Sequence, residues 1–93
     1  MRAVVVWKEK SDYAREVGDW IRDFQKRTGK EVESIDPETL SGESFSRAYD
    51  IVEYPTILGL DDSGKVLEMW RGKPLPRIDE VSYYANEKKS DII

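Results

Sequence analysis

The side chains able to act on a ligand fall in a few short runs, and two reactive residue types are missing from all of them. The 93-residue sequence contains no cysteine and no histidine. Thiolate nucleophiles, disulfides, zinc–thiolate sites and iron–sulfur clusters are therefore excluded from this chain. Acid–base work near neutral pH would fall to a shifted carboxylate, lysine or tyrosine.

Ser11, Asp12 and Tyr13 lie between the polar break Lys8-Glu9-Lys10 and a run of helical spacing. Ser11 or Asp12 suits the N-cap of that helix, and this structural role outweighs an anion contact, because Asp12 already brings negative charge to the helix's positive end. Asp61-Asp62-Ser63-Gly64 lacks the length and ligand spacing of a calcium loop and reads as a tight turn. Glu16, Asp19 and Asp23 are interleaved with Arg15, Arg22, Lys26 and Arg27, the pattern of a solvated, ion-paired helix face. No catalytic or metal-ligating set emerges from these runs, and no cofactor is expected.

The elements that must position these residues follow from periodicity. Arg2 to Trp7 is an almost continuous β-branched and aromatic run, as in a central strand buried on both faces. Tyr13, Val17, Trp20, Ile21 and Phe24 recur at helical spacing, with Gly29 as the stop. Glu31 to Ile35 alternates like an edge strand, and Asp36-Pro37 is expected to open a second helix with apolar positions Leu40, Phe45, Ala48, Tyr49 and Ile51, divided in two at Gly42. Thr56–Leu60 and Lys65–Trp70 flank the Asp61–Gly64 turn as a hairpin. Pro74 and Pro76 lead into a last helix carrying Ile78, Val81, Tyr84 and Ala85, and the tail from Glu87 to Ile93 is expected to fray.

The order β-α-β-α-β-β-α with right-handed crossover predicts one α/β domain over residues 1–93, a four-stranded mixed sheet of spatial order 2-1-3-4 with helices on both faces. The net charge of −4 disfavours a nucleic-acid binder. The first apolar run is too short for a signal segment or a membrane span, so a soluble, cytoplasmic protein is expected. The hairpin edge strand carries Lys65, Glu68 and Arg71, which guard it against pairing with a second copy, so a monomer is expected.

The segment Tyr49-Asp50-Ile51-Val52-Glu53-Tyr54-Pro55-Thr56-Ile57-Leu58, then Asp62-Ser63-Gly64-Lys65-Val66, then Trp70-Arg71-Gly72, resembles the C-terminal half of thioredoxins and glutaredoxin-like proteins. The resemblance implies a thioredoxin-like fold, a cis peptide at Tyr54-Pro55, and a groove around it. It also implies that Ser11 and Ala14 stand where that family carries Cys-x-x-Cys, and that Val5 stands where many thioredoxins bury an acid. A redox-inactive member is the expectation, with no enzymatic activity.

Trp7, Tyr13, Tyr54 and Trp70, bordered by Lys8, Lys10, Arg71 and Lys73, are expected near one rim of such a sheet, as a binding surface or as ordinary core. The functional expectation is a module that holds a peptide or protein partner with Ser11, Asp12, Tyr13, Tyr54, Pro55, Thr56, Arg71 and Gly72, the backbone of Tyr54 accepting a strand. Two alternatives stay open: a small enzyme or glutathione-like ligand binder on the same groove, and a thiol–disulfide oxidoreductase in which serine and alanine replace the two cysteines.

Overall fold

A computed structural model of the protein describes residues 1–86; residues 87–93, on which the expectation of a frayed tail falls, lie outside the described residues. The elements are β1 (Arg2–Val6), α1 (Ala14–Thr28), β2 (Glu33–Ile35), α2 (Leu40–Ala48), β3 (Thr56–Leu60), β4 (Val66–Arg71) and α3 (Ile78–Ser82), continued by a 3-10 turn over Tyr83–Ala85. They form a four-stranded sheet in the order β2-β1-β3-β4. β1 runs parallel to β2 and antiparallel to β3, and β3 is antiparallel to β4. None of the described helices is long and apolar enough to cross a membrane.

Because successive residues of a strand face opposite ways, the central strands supply two separate cores. Ala3, Val5 and Ile57 pack with Val17 and Phe24 of α1 and with Val81 and Ala85 of the C-terminal elements. Val4, Val6, Leu58 and Leu60 pack on the other face with Ile51, against Phe45 and Tyr49 from α2 and its end. Every residue of β3 is buried.

α1 ends where expected: Gly29 takes φ 70° and its N–H donates to the Gln25 carbonyl. Its start differs from expectation. The helix begins at Ala14 after Tyr13, with no side-chain cap. Neither Ser11 nor Asp12 caps it, because the Ser11 hydroxyl instead donates to the Lys8 carbonyl at 2.6 Å.

α2 departs further. Its N-cap is Thr39, whose hydroxyl accepts the Gly42 N–H at 3.0 Å. Asp36 closes a turn before the helix, its carboxylate accepting the Glu38 N–H and its carbonyl the Thr39 N–H. Gly42 does not divide the helix but lies inside its first turn, pressed so closely on the Asp36 backbone that a Cβ would stand 1.8 Å from the carbonyl oxygen. With the start moved to Leu40, the inward face becomes Gly42, Phe45, Ser46 and Tyr49. Leu40, at 85% exposure, and Ala48 point to solvent instead of the core.

The hairpin turn is held by Asp61. Its carboxylate accepts the Lys65 N–H, the Ser63 hydroxyl and the Ser63 N–H, all within 2.9 Å. These bonds, that from Lys65 foremost, keep its pKa below the ordinary aspartate range. At the far end of β4, the Lys73 ammonium pairs with Glu16 at 3.0 Å, and Trp20 Nε1 donates to the Pro76 carbonyl at 3.0 Å, tying the connection to α1.

Candidate functional site at the cis-proline rim

The end of β1, the start of β3 and the end of β4 meet at one rim of the sheet. Val6 is in register with Thr56, and Thr56 with Arg71. Beyond Val6 the chain stays in the sheet for one more bond, Trp7 N–H to the Ile35 carbonyl at 3.0 Å, and then turns out at Lys8. On the β4 side, Gly72 at φ 71° folds back and donates its N–H to the Pro55 carbonyl at 2.7 Å. The Tyr54–Pro55 peptide is cis, as is Lys73–Pro74.

The β1–α1 loop is closed on itself through Lys8. The Lys8 N–H donates to the Tyr13 hydroxyl at 3.1 Å, and the Lys8 carbonyl accepts from Ser11. The ammonium of the same residue lies 5.1 Å from the centre of the Tyr54 ring, within the range of a cation–π contact. Lys8 thus joins the loop holding Ser11, Asp12 and Tyr13 to the segment holding Tyr54.

The eight residues singled out from sequence have different parts here. Pro55, Thr56 and Gly72 are buried framework. The Thr56 hydroxyl donates to the Glu53 carbonyl, which fixes the bend ahead of the proline. Ser11, Tyr13 and Tyr54 are partly exposed, and Asp12 and Arg71 are fully exposed. Arg71 reaches from the end of β4 toward the Asp50 carbonyl at 3.5 Å.

The four aromatics do not form one patch. Trp7, Tyr13 and Trp70 pack on the α1 and α3 face, whereas Tyr54 packs on the α2 face. Strand alternation separates them: Trp7 follows Val6 by one residue and Trp70 precedes Arg71 by one, so both point away from the side that Thr56 faces. The cations divide in the same way, with Lys73 engaged by Glu16 of α1, the Lys8 ammonium over the Tyr54 ring of the other face, and Arg71 reaching toward the Asp50 carbonyl.

The backbone around Tyr54 has an uneven pattern of partners. The Ile51 carbonyl accepts the Tyr54 hydroxyl, the Glu53 carbonyl accepts Thr56, and the Pro55 carbonyl accepts Gly72. Among the described residues no hydrogen bond takes up the backbone N–H or C=O of Tyr54 itself. Sequence reasoning did not assign the neighbours that shape this stretch. Val52 is 85% exposed, and the Glu53 carboxylate lies over Gly72, where a Cβ would stand 2.4 Å from it. Asp50 takes φ 56° directly after α2. The signal for Asp50 was present, since aspartate tolerates this left-handed conformation and no glycine follows the helix. The placement of Glu53 had no such signal, because it depends on the path of β4.

Comparison with solved structures settles the architecture. Thioredoxin 1 from the thermophilic eubacterium Thermosipho africanus superposes with a TM-score of 0.63 at 18% sequence identity, over 90% of this chain and 89% of that one. The fold is thioredoxin-like. No protein-family model and no curated protein sequence matches the chain.

Within this thioredoxin-like framework, the positions that the sequence resemblance equates with the two cysteines are Ser11 and Ala14, joined by the Ala14 N–H to Ser11 carbonyl bond at 3.3 Å. The chain offers no thiol at either place or anywhere else. Val5 is fully buried between hydrophobic neighbours, so no acid lies beneath the loop at that point. The Ser11 hydroxyl is turned back onto its own loop, with no basic side chain bonded to it that would raise its nucleophilicity.

Proposed function

We propose that this domain is a redox-inactive, thioredoxin-like binding module that holds an extended peptide segment of a partner protein along the cis-proline rim, without a catalytic step. The observation that carries the reading is the pair of backbone groups on Tyr54. On a half-buried residue, an N–H and C=O with no partner among the described residues offer two strand-type hydrogen bonds to an extended peptide. The carbonyls of Ile51, Glu53 and Pro55 are already engaged, which favours Tyr54 over these three as the point of pairing. Val52, exposed beside it, supplies an apolar contact.

The test is a titration of the isotope-labelled domain with a short extended peptide and, separately, with glutathione, followed by amide NMR shifts. Shifts centred on Tyr54, Gly72 and Tyr13 with the peptide, and none with glutathione, are the expected result. Shifts at these residues with glutathione alone would replace the peptide module by a small-molecule site. No movement at Tyr54 with the peptide would end the reading.

A further inference from the structure

We propose that the peptide accepted at this rim carries an acidic side chain, held between Lys8 and Arg71; the inference rests on the peptide-binding reading above and names the class of peptide. Strand alternation fixes one side of the placement: Val6, Thr56 and Arg71 are aligned across β1, β3 and β4 with side chains on the α2 face. Lys8 lies past the end of β1, and its ammonium reaches that face through its contact with the Tyr54 ring. Tyr54 packs on the same face, with the Lys8 ammonium over its ring. Val6 and Arg71 are separated by β3, about 10 Å at ordinary strand spacing, and Lys8 lies two residues further on, so the Lys8 and Arg71 Cα atoms stand on the order of 12 Å apart, a gap that two long side chains span with a carboxylate between them.

Like Lys10, Arg15, Lys26, Lys30 and Lys65, neither cation is committed to a carboxylate among the described residues. Arg2, Arg22, Arg27, Arg47, Lys73 and Arg77 each pair with a carboxylate. Among the described residues the Lys8 side chain has only the Tyr54 ring, and that of Arg71 only a long bond to the Asp50 carbonyl. Carboxylates are near in sequence: Glu9 and Asp12 on the β1–α1 loop, Asp50 and Glu53 ahead of the proline. All four are exposed, and none stands in an ion pair with Lys8 or Arg71 among the described residues. A carboxylate brought in by a peptide side chain therefore gains charge-assisted hydrogen bonds without displacing an existing ion pair.

The experiment uses three acetylated, amidated pentapeptides, Thr-Val-Xaa-Val-Thr with Xaa as Glu, Gln or Lys, titrated at low ionic strength and followed at the Tyr54 and Gly72 amides. The Glu peptide is expected to bind about fivefold more tightly than the Gln peptide, with the Lys peptide weakest. The preference is expected to shrink below about twofold at roughly 1 M salt. The same loss is expected in the double variant Lys8→Gln, Arg71→Gln, with its thermal midpoint measured to establish folding; the salt arm on the natural sequence stands if that variant does not fold. Equal binding of the Glu and Gln peptides at Tyr54 would overturn the acidic preference while leaving the rim as a peptide site. A Glu preference that survives both salt and the double variant would overturn the assignment to Lys8 and Arg71. Failure of all three peptides to move Tyr54 would overturn the peptide reading together with this one.

Discussion

The ring of Tyr84 rests on the α-carbon of Gly59, where a Cβ would stand 2.5 Å from the ring's Cγ. Tyr84 also meets Trp70 edge-on at 5.7 Å, so one residue of the 3-10 turn is clamped between β3 and β4. Gly59→Ala is expected to push the ring off the sheet and lower stability by about 1–3 kcal/mol, the usual cost of overpacking. Thermal unfolding followed by tryptophan fluorescence checks this; an unchanged midpoint would mean that the turn yields without loss.

Two glycines in helices give opposite predictions from the same substitution. Gly18→Ala in α1 meets only the end of the flexible Arg22 side chain at 3.7 Å, so it should stabilise by about 0.5–1 kcal/mol through lower unfolded-state entropy. Gly42→Ala in α2 meets the Asp36 carbonyl at 1.8 Å and should destabilise despite the better helix propensity of alanine. Urea midpoints of the two variants should move in opposite directions.

Ser46 is 6% exposed and its hydroxyl has no hydrogen-bond partner among the described residues. Burying an unpaired hydroxyl carries a desolvation cost that alanine removes. Ser46→Ala is expected to be neutral or to stabilise by up to about 1 kcal/mol. A marked loss of stability in the same urea measurement would point to a partner for the hydroxyl that this geometry does not show.

The turn carboxylate of Asp61 gives a pH dependence. Its pKa is lower in the folded chain than in the unfolded one, because the Lys65 N–H and the Ser63 groups bond to the ionised form. Its contribution is therefore complete above the unfolded-state value and is lost as pH falls through the folded-state value. Asp61→Asn should show a shallower fall in melting temperature from neutral to acid pH than the natural sequence. An identical acid limb would remove Asp61 from the account.

The path of the sheet was legible because its signals are local. Arg2–Val6 reads as a strand buried on both faces, Asp61–Gly64 as a turn, and Gly29 as a helix stop, each from its own few residues. The start of α2 was not, because Asp36-Pro37 and Thr39 are rival capping signals only three residues apart. In the fold Asp36 closes the turn before the helix and Thr39 caps it, with Gly42 packed on the Asp36 carbonyl, a contact that pattern reading does not register. The site was legible in the same uneven way. The motif around Pro55 located the rim, but the assembly of its four aromatics into one patch failed on strand parity, which separates Trp7 and Trp70 from Tyr54. The role of Lys8 as the joint between the loop and Tyr54 depends on two bonds within the loop and one contact across the fold, and the last leaves no mark on the sequence.

The division of the interior by the sheet bears on how the molecule opens. One face is covered by two elements, α1 and α3, and the other by α2, whose Leu40 lies in solvent and whose inward face includes Gly42 and the unpartnered Ser46. Lifting α2 exposes one apolar cluster and leaves the other, with β1 and β3, still closed from behind. Sub-global opening on that side thus costs less than unfolding the whole. Amides of α2 should exchange with solvent ahead of those in β1 and β3, and the segment from Asp50 to Tyr54, leading from α2 into the rim, hangs on the less firmly held half of the domain.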